Sequence, residues 1–166
     1  MMRACDRGIV ALISLDKQAK VRGLSGISSH SRKRRQRTVM AVLSNKIRIT
    51  VGSVQLDAEL KPTKTAQEVY AALPVESPVN TWGEEFYCKL AGVKDHRETA
   101  TNHVKVGDVA FWGAGQVLAI FFGRTPMSMG QDPVPADRVN IIGHILGDAS
   151  VLRRVMDVPT IRIDRT

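Results

Sequence analysis

The stretch GDVAFWGAGQVLAIFFGRTP, Gly107–Pro126, constrains this chain more than any other part of it. It is the most apolar segment and holds four of the eight aromatic residues. It predicts two strands, Val109–Trp112 and Gln116–Phe122, joined by a Gly-Ala-Gly turn. Aromatic and branched residues bounded by glycines suit a pleated, buried surface better than a helix. The segment NTWGEEFYCKL, 80–90, reads as the neighbouring wall of the same core.

A chain of 166 residues is one ordinary domain by length. Its net charge of +8 points to nucleic acid only until the charge is located. Residues 1–45 hold ten Lys/Arg against two Asp, whereas 46–166 hold fourteen basic and fourteen acidic residues. All the aromatic residues lie between Tyr70 and Phe122. The expected organisation is a basic leader, 1–45, ahead of a neutral domain, 46–166, so the charge says nothing about the domain's partners.

The leader contains an apolar run, Ile9–Leu15, a Gly/Ser-rich stretch, Gly23–Ser31, and a basic cluster of Arg32, Lys33, Arg34, Arg35 and Arg37. A secretory signal fits poorly, because the apolar run is short and Asp16–Lys20 makes a poor cleavage region. An Arg-rich organelle transit peptide fits the composition better. The basic cluster has the composition of a nuclear address or a phosphate-binding arm. The reading adopted is that translation begins at Met40 and 1–39 is an upstream extension. In each case the leader lacks an apolar pattern that offsets ordering entropy, and disorder is expected.

Within the domain, Lys46–Val51 alternates Ile47, Ile49 and Val51 against polar residues, the mark of a half-buried strand. Gly52-Ser53 is a hairpin turn, and Val54–Leu60 returns from it. Thr65-Ala66-Gln67-Glu68 matches a capping box opening a helix with Ala66, Val69, Tyr70 and Leu73 on one stripe and Pro74 at its end. Strands are expected over Val75–Asn80, Glu85–Leu90, Val139–Leu146 and Thr160–Asp164. A short helix, Ala149–Val155, is expected to be capped by Gly147-Asp148. The long Pro- and Gly-containing segment Gly123–Asp137 is a loop of a length that is usually functional or disordered.

This gives seven or eight short strands with two short helices and no running β-α-β alternation, which excludes a doubly wound parallel sheet. The expected fold is mostly β: a closed, mainly antiparallel barrel carrying two short helices.

The order of KIRITVGSVQLDAEL, TAQEVYAALP, SPVNTWGEEFYCKL, VKVGDVAFWGAGQVLAIFFGRTPMS and RVNIIGHILGD resembles the small prokaryotic cyclophilin-like proteins, over about 46–164. The resemblance implies a cyclophilin-like β-barrel and brings no established activity. True cyclophilins are prolyl isomerases whose active site carries an Arg after Phe-His, with a Gln-x-x-Phe segment and a Trp and a His lining the proline pocket. That Arg is held to stabilise the twisted amide, a case of differential transition-state binding. This chain has no Phe-His-Arg. Its one His-Arg pair, His96-Arg97, falls in a polar loop, and Ala119–Phe122 offers the aromatic pair without the Gln.

Candidate site residues follow from chemistry. Trp82, Tyr87, Trp112 and Phe122 are either core or the walls of an aromatic groove. On the strand after Trp82, Glu85, Tyr87 and Lys89 share one face and Phe86, Cys88 and Leu90 the other; Phe121 and Phe122 likewise face opposite ways. Arg124, opening the long loop, is either a solvated residue or a clamp for a carboxylate or phosphate. Glu84 and Glu85 read as a solvated turn, since no acid–base partner is apparent. His144, in an apolar strand, reads as a satisfied core or barrel-end histidine. Asn140, polar within a strand, needs bonding partners. Cys88 reads as a buried, inert thiol, and no metal-ligand spacing exists. No apolar run approaches the ~20 residues of a membrane span.

The functional expectation is a soluble, cytoplasmic domain without cofactor, metal or membrane partner. It binds a peptide or small molecule in an aromatic-lined cleft. Trp82, Tyr87 and Phe122 form its wall, Arg124 and Thr125 its rim, and Asn140 a polar contact. The alternative is a prolyl isomerase with a rearranged site, in which Arg124 replaces the missing arginine. A third reading is nucleic-acid association through Arg32–Arg37, with salt-sensitive binding that disappears without 1–39.

Overall fold

The computed structural model describes residues 45–166. The expectations for the leader, including the Arg32–Arg37 cluster and the start at Met40, lie outside the described residues.

Nine strands and two short helices follow in order: β1 (Lys46–Val51), β2 (Val54–Leu60), α1 (Lys64–Ala72), β3 (Val75–Thr81), β4 (Glu85–Lys89), β5 (Ala100–Thr101), β6 (Asp108–Trp112), β7 (Val117–Phe121), β8 (Val139–Ile145), a 3-10 helix (Ala149–Val155) and β9 (Thr160–Arg165). The sheet runs β2-β1-β9-β3-β4-β7-β6-β8-β5, and a further pairing of β2 with β8 closes eight of these strands into a barrel. The pairings are antiparallel, and two-residue β5 lies outside the closed ring, on β8. Closure satisfies the backbone groups that an open edge would leave exposed.

Period-two alternation fills the interior. Ile47, Ile49 and Val51 of β1, Phe86 and Cys88 of β4, Leu118 and Ile120 of β7, and Ile161 and Ile163 of β9 join one buried cluster. Both helices feed the same cluster, α1 through Ala66 and Val69 and the 3-10 helix through Ala149, Leu152 and Val155. The Phe86 and Phe122 rings meet there, with centroids 4.7 Å apart. Burial pushes the Cys88 thiol up to about 12, so it stays protonated and inert.

Local chemistry moved some boundaries. The N-cap of α1 is Thr63, whose hydroxyl accepts from the Ala66 amide at 3.2 Å, two residues earlier than the expected box. Thr65 is buried and bonded to Glu98 from a distant loop, and Glu68 faces His96. A tertiary partner thus claimed the Thr that local sequence assigned to capping. β7 begins at Val117 because Gln116 takes a positive φ of 51° and pins the preceding loop through Val93 and Gly113. His144 is exposed on β8, its Nδ1 3.2 Å from Asp108 Oδ1, and is not a core histidine. Its neighbours Gly143 and Ile145 are the buried residues there, which places His144 on the outer face.

Candidate functional site

The same alternation that fills the barrel gives its wall a second apolar face. Opposite Phe86 and Cys88 on β4 stand Glu85, Tyr87 and Lys89. Their cross-strand partners on β7 are Phe121, Ala119 and Val117. Ala119 in turn lies opposite Ala110 on β6, and Val117 opposite Trp112. Phe121, Ala119, Ala110, Val104 and Val139 form a second buried cluster, with Tyr87, Trp112 and Ile141 packed at its margin. The two alanines lie side by side in a sheet of large residues, and the small side chain of Ala119 leaves a hollow. Tyr87 stands on one side of that row and Ile141, the partner of Ala110, on the other.

The hollow is a cavity of about 330 Å³, at the small end of ligand pockets. β4 contributes Glu85, Tyr87 and Lys89 to it, and the β3–β4 turn contributes Trp82. Trp112, Val117 and Ala119 form the sheet side, and Pro135, Ala136 and Asp137 of the long loop the opposite side. Two glycines make this shape possible. Gly83 turns the chain at φ +64°, and a Cβ there would lie 2.7 Å from the Arg124 carbonyl oxygen. Gly115 lies against the Trp112 ring, in space that a side chain would take. The Trp112 Nε1–H reaches Asp137 Oδ2 at 3.3 Å and ties the loop to the sheet.

Glu85 is the polar feature of the cleft. It is 9% exposed, its Oε2 has no hydrogen-bond partner, and burial raises its carboxyl to about 7. An unpaired buried carboxylate is costly, so the group takes up a proton near neutrality instead of ionising fully. The turn is set by the Trp82 amide donating to the Glu85 carbonyl at 3.0 Å, which places the indole and the carboxyl at the two ends of one short turn. Adjacent Glu84 is different. It bonds the Arg153 guanidinium and accepts from the Arg124 amide at 2.9 Å, and these bonds hold its carboxyl below the usual range. The reading of both glutamates as a solvated turn is corrected: Glu84 is an anchor and Glu85 is buried in the cleft. The signal for Glu85 was its shared face with Tyr87 and Lys89.

Of the six expected site residues, the cleft gathers Trp82 and Tyr87. Phe122 is fully buried in the barrel interior against Phe86, and Phe121 is the one on the outer side. Arg124 is exposed, and its guanidinium donates to the Ser128 carbonyl at 3.2 Å. Thr125 is buried as the hub of the long loop, its hydroxyl bonding Val134 and standing 3.3 Å from the Ser128 hydroxyl. Asn140 is buried and bonds the Thr99 amide and the Asp95 carboxylate, fixing the 95–99 loop to β8. None of these four lines the cavity. Among the described residues no cluster of three or more His, Cys, Asp or Glu is placed to hold a metal ion. No helix there is long and apolar enough to cross a membrane.

Comparison with known proteins agrees with this architecture. The solution structure of the hypothetical protein AF2241 from Archaeoglobus fulgidus is 31% identical, with a TM-score of 0.64, over 75% of this chain and 96% of that one. The structure of McbB in complex with tryptophan is 18% identical, with a TM-score of 0.56, over 72% of this chain and 44% of that one, and shares the fold. No curated protein matches. The Cyclophilin-like family model matches residues 45–164, from the first described residue to near the end of β9. The chain belongs to the cyclophilin-like family.

Proposed function

We propose that this domain is a binding module that takes a small ligand or a short peptide segment in the Trp82–Tyr87–Trp112 cleft. The observation that carries this reading is the Glu85 carboxyl, buried without a partner in a hollow whose other charged groups, Lys89 and Asp137, are already bonded. Binding pockets combine apolar walls with a few placed polar groups. A buried polar atom left unsatisfied costs about 1–3 kcal/mol, which a bound ligand would recover. Phe122, Arg124, Thr125 and Asn140 support the module indirectly, by holding the core and the loops around it.

The prolyl isomerase alternative draws no support from Arg124, because that guanidinium is engaged with Ser128 and does not line the cleft. The test is a fragment and peptide screen on the full chain, followed by amide and indole NMR shifts. Hits should perturb Trp82, Tyr87 and Trp112, and Ala119→Phe, which fills the hollow, should abolish them. Hits that map elsewhere, or that survive Ala119→Phe, would refute the reading. A prolyl cis/trans assay on the same sample should show no acceleration; acceleration lost in Arg124→Ala would establish the alternative.

A further inference from the structure

The chemistry of the cleft narrows its ligand, given the reading of that cleft as a binding site. Its two carboxylates are Glu85 and Asp137, and its one cation is Lys89. Lys89 is already engaged, its ammonium donating to the Gly115 carbonyl at 2.7 Å. It also stands four residues from Glu85, about 13 Å along the strand. Asp137 likewise has a partner in the Trp112 indole. Glu85 alone is enclosed with a free oxygen. Its neighbours on β7 are Phe121 and Ala119, which bring no charge, and between it and Lys89 on the same face of β4 stands Tyr87. The aromatic residues lining the cleft, Trp82, Tyr87 and Trp112, are of the kind whose rings attract organic cations.

We propose that the cleft selects a small organic amine, its ammonium group pairing with the Glu85 carboxylate and its apolar body lying among Trp82, Tyr87 and Trp112. Carboxylic ligands are disfavoured by the same arrangement, since they would place a second anion beside Glu85. The volume of about 330 Å³ limits the body to roughly one ring with a short side chain. Binding is linked to a proton: Glu85 must ionise to pair with the ammonium, so the amine displaces the proton that burial had kept on the group.

Both tryptophans of the chain line this cleft, so intrinsic fluorescence reads it directly. The experiment titrates the full chain with 2-phenylethylamine and with 2-phenylethanol, a neutral probe of nearly the same shape, at pH 8 and pH 6. The amine should bind at least about tenfold tighter than the alcohol at pH 8, as expected for a charge-assisted bond. With Glu85 titrating at about 7, amine affinity should fall roughly tenfold from pH 8 to pH 6, while that of the alcohol stays level. In Glu85→Gln both the preference and the pH dependence should vanish. Equal binding of the two probes, or a preference that survives in Glu85→Gln, would overturn the amine assignment and leave the cleft reading standing. Failure of both probes to bind the folded chain would overturn both. The comparison of the two probes on the native chain decides the matter even where the variant fails to fold.

Discussion

The two faces of the β4–β7–β6 wall are made from the same three strands, yet they end in different states. The inner face, with Phe86, Cys88, Leu118, Ile120, Val109 and Phe111, closes on the rest of the barrel and leaves little space. The outer face has Glu85, Tyr87, Ala119, Ala110 and Trp112, and is covered by loop residues instead of by another sheet. A strand buried on both sides reads as a continuous apolar run, which is why VLAIF is fully buried. The lesson is that hydrophobicity made both faces, while the size of the residues decided which one became a cleft. Large residues interdigitate inside the barrel, and the small Ala119 beside a buried acid interrupts the packing outside it.

The comparison is broken most severely by truncation on the inner face. Phe86→Ala removes a fully buried ring that also packs on Phe122, and should cost about 3–5 kcal/mol. Tyr87→Ala, its sequence neighbour on the outer face, should cost about 1 kcal/mol or less, because the ring is only partly buried beside an existing hollow. Urea unfolding of the two variants measures this difference; similar losses would mean the outer face is packed as tightly as the inner one.

Next in size is the pH response of two adjacent glutamates, which should have opposite signs. Glu85 is raised on folding, so its contribution is fully present below the unfolded value of 4.5 and is lost as pH rises through about 7. Stability should decline between about pH 5 and 8, by on the order of 2 kcal/mol, and Glu85→Gln should flatten that slope. Glu84 is lowered on folding, so its contribution is present above the unfolded value and lost as pH falls through its folded value. Arg153→Ala should therefore cost stability at pH 7, and the cost should shrink in acid. The pair is partly exposed, at 49% and 28% for the two side chains, which keeps the expected cost near 1 kcal/mol. Thermal unfolding across pH 4–8 checks both signs.

Much of this was legible from local pattern. Ile47, Ile49 and Val51 announce β1, and the spacing of Phe86 and Cys88 against Tyr87 assigns the two faces of β4 before any tertiary contact is known. Opposite orientations for Phe121 and Phe122 follow from the same period of two. Which of those phenylalanines points inward does not, and Phe122, expected on the wall, is the one inside the barrel. Thr125 is expected at the rim of the cleft, and Asn140 is expected as a polar contact because buried polar groups need partners. Their partners proved to be Val134, Ser128, Thr99 and Asp95, supplied by loops whose course local sequence does not dictate. β5 escaped notice because two residues carry no periodicity.

By itself, the sequence determined the class of fold, since alternating apolar residues in strands such as β1 and β9 and the continuous apolar run of β7 demand a two-faced sheet, and closure removes its edges. It also determined that Tyr87 and Glu85 share a face and that both tryptophans lie near strand ends. Tertiary structure decided that Glu85 is buried and Glu84 bonded, that Arg124 serves its own loop, and that a hollow opens over Ala119 beneath Pro135–Asp137. The physical reason is range. Periodicity depends on the backbone of one strand, whereas burial, ionisation and cavity shape depend on residues brought together from the β3–β4 turn, β4, β6, β7, β8 and a distant loop.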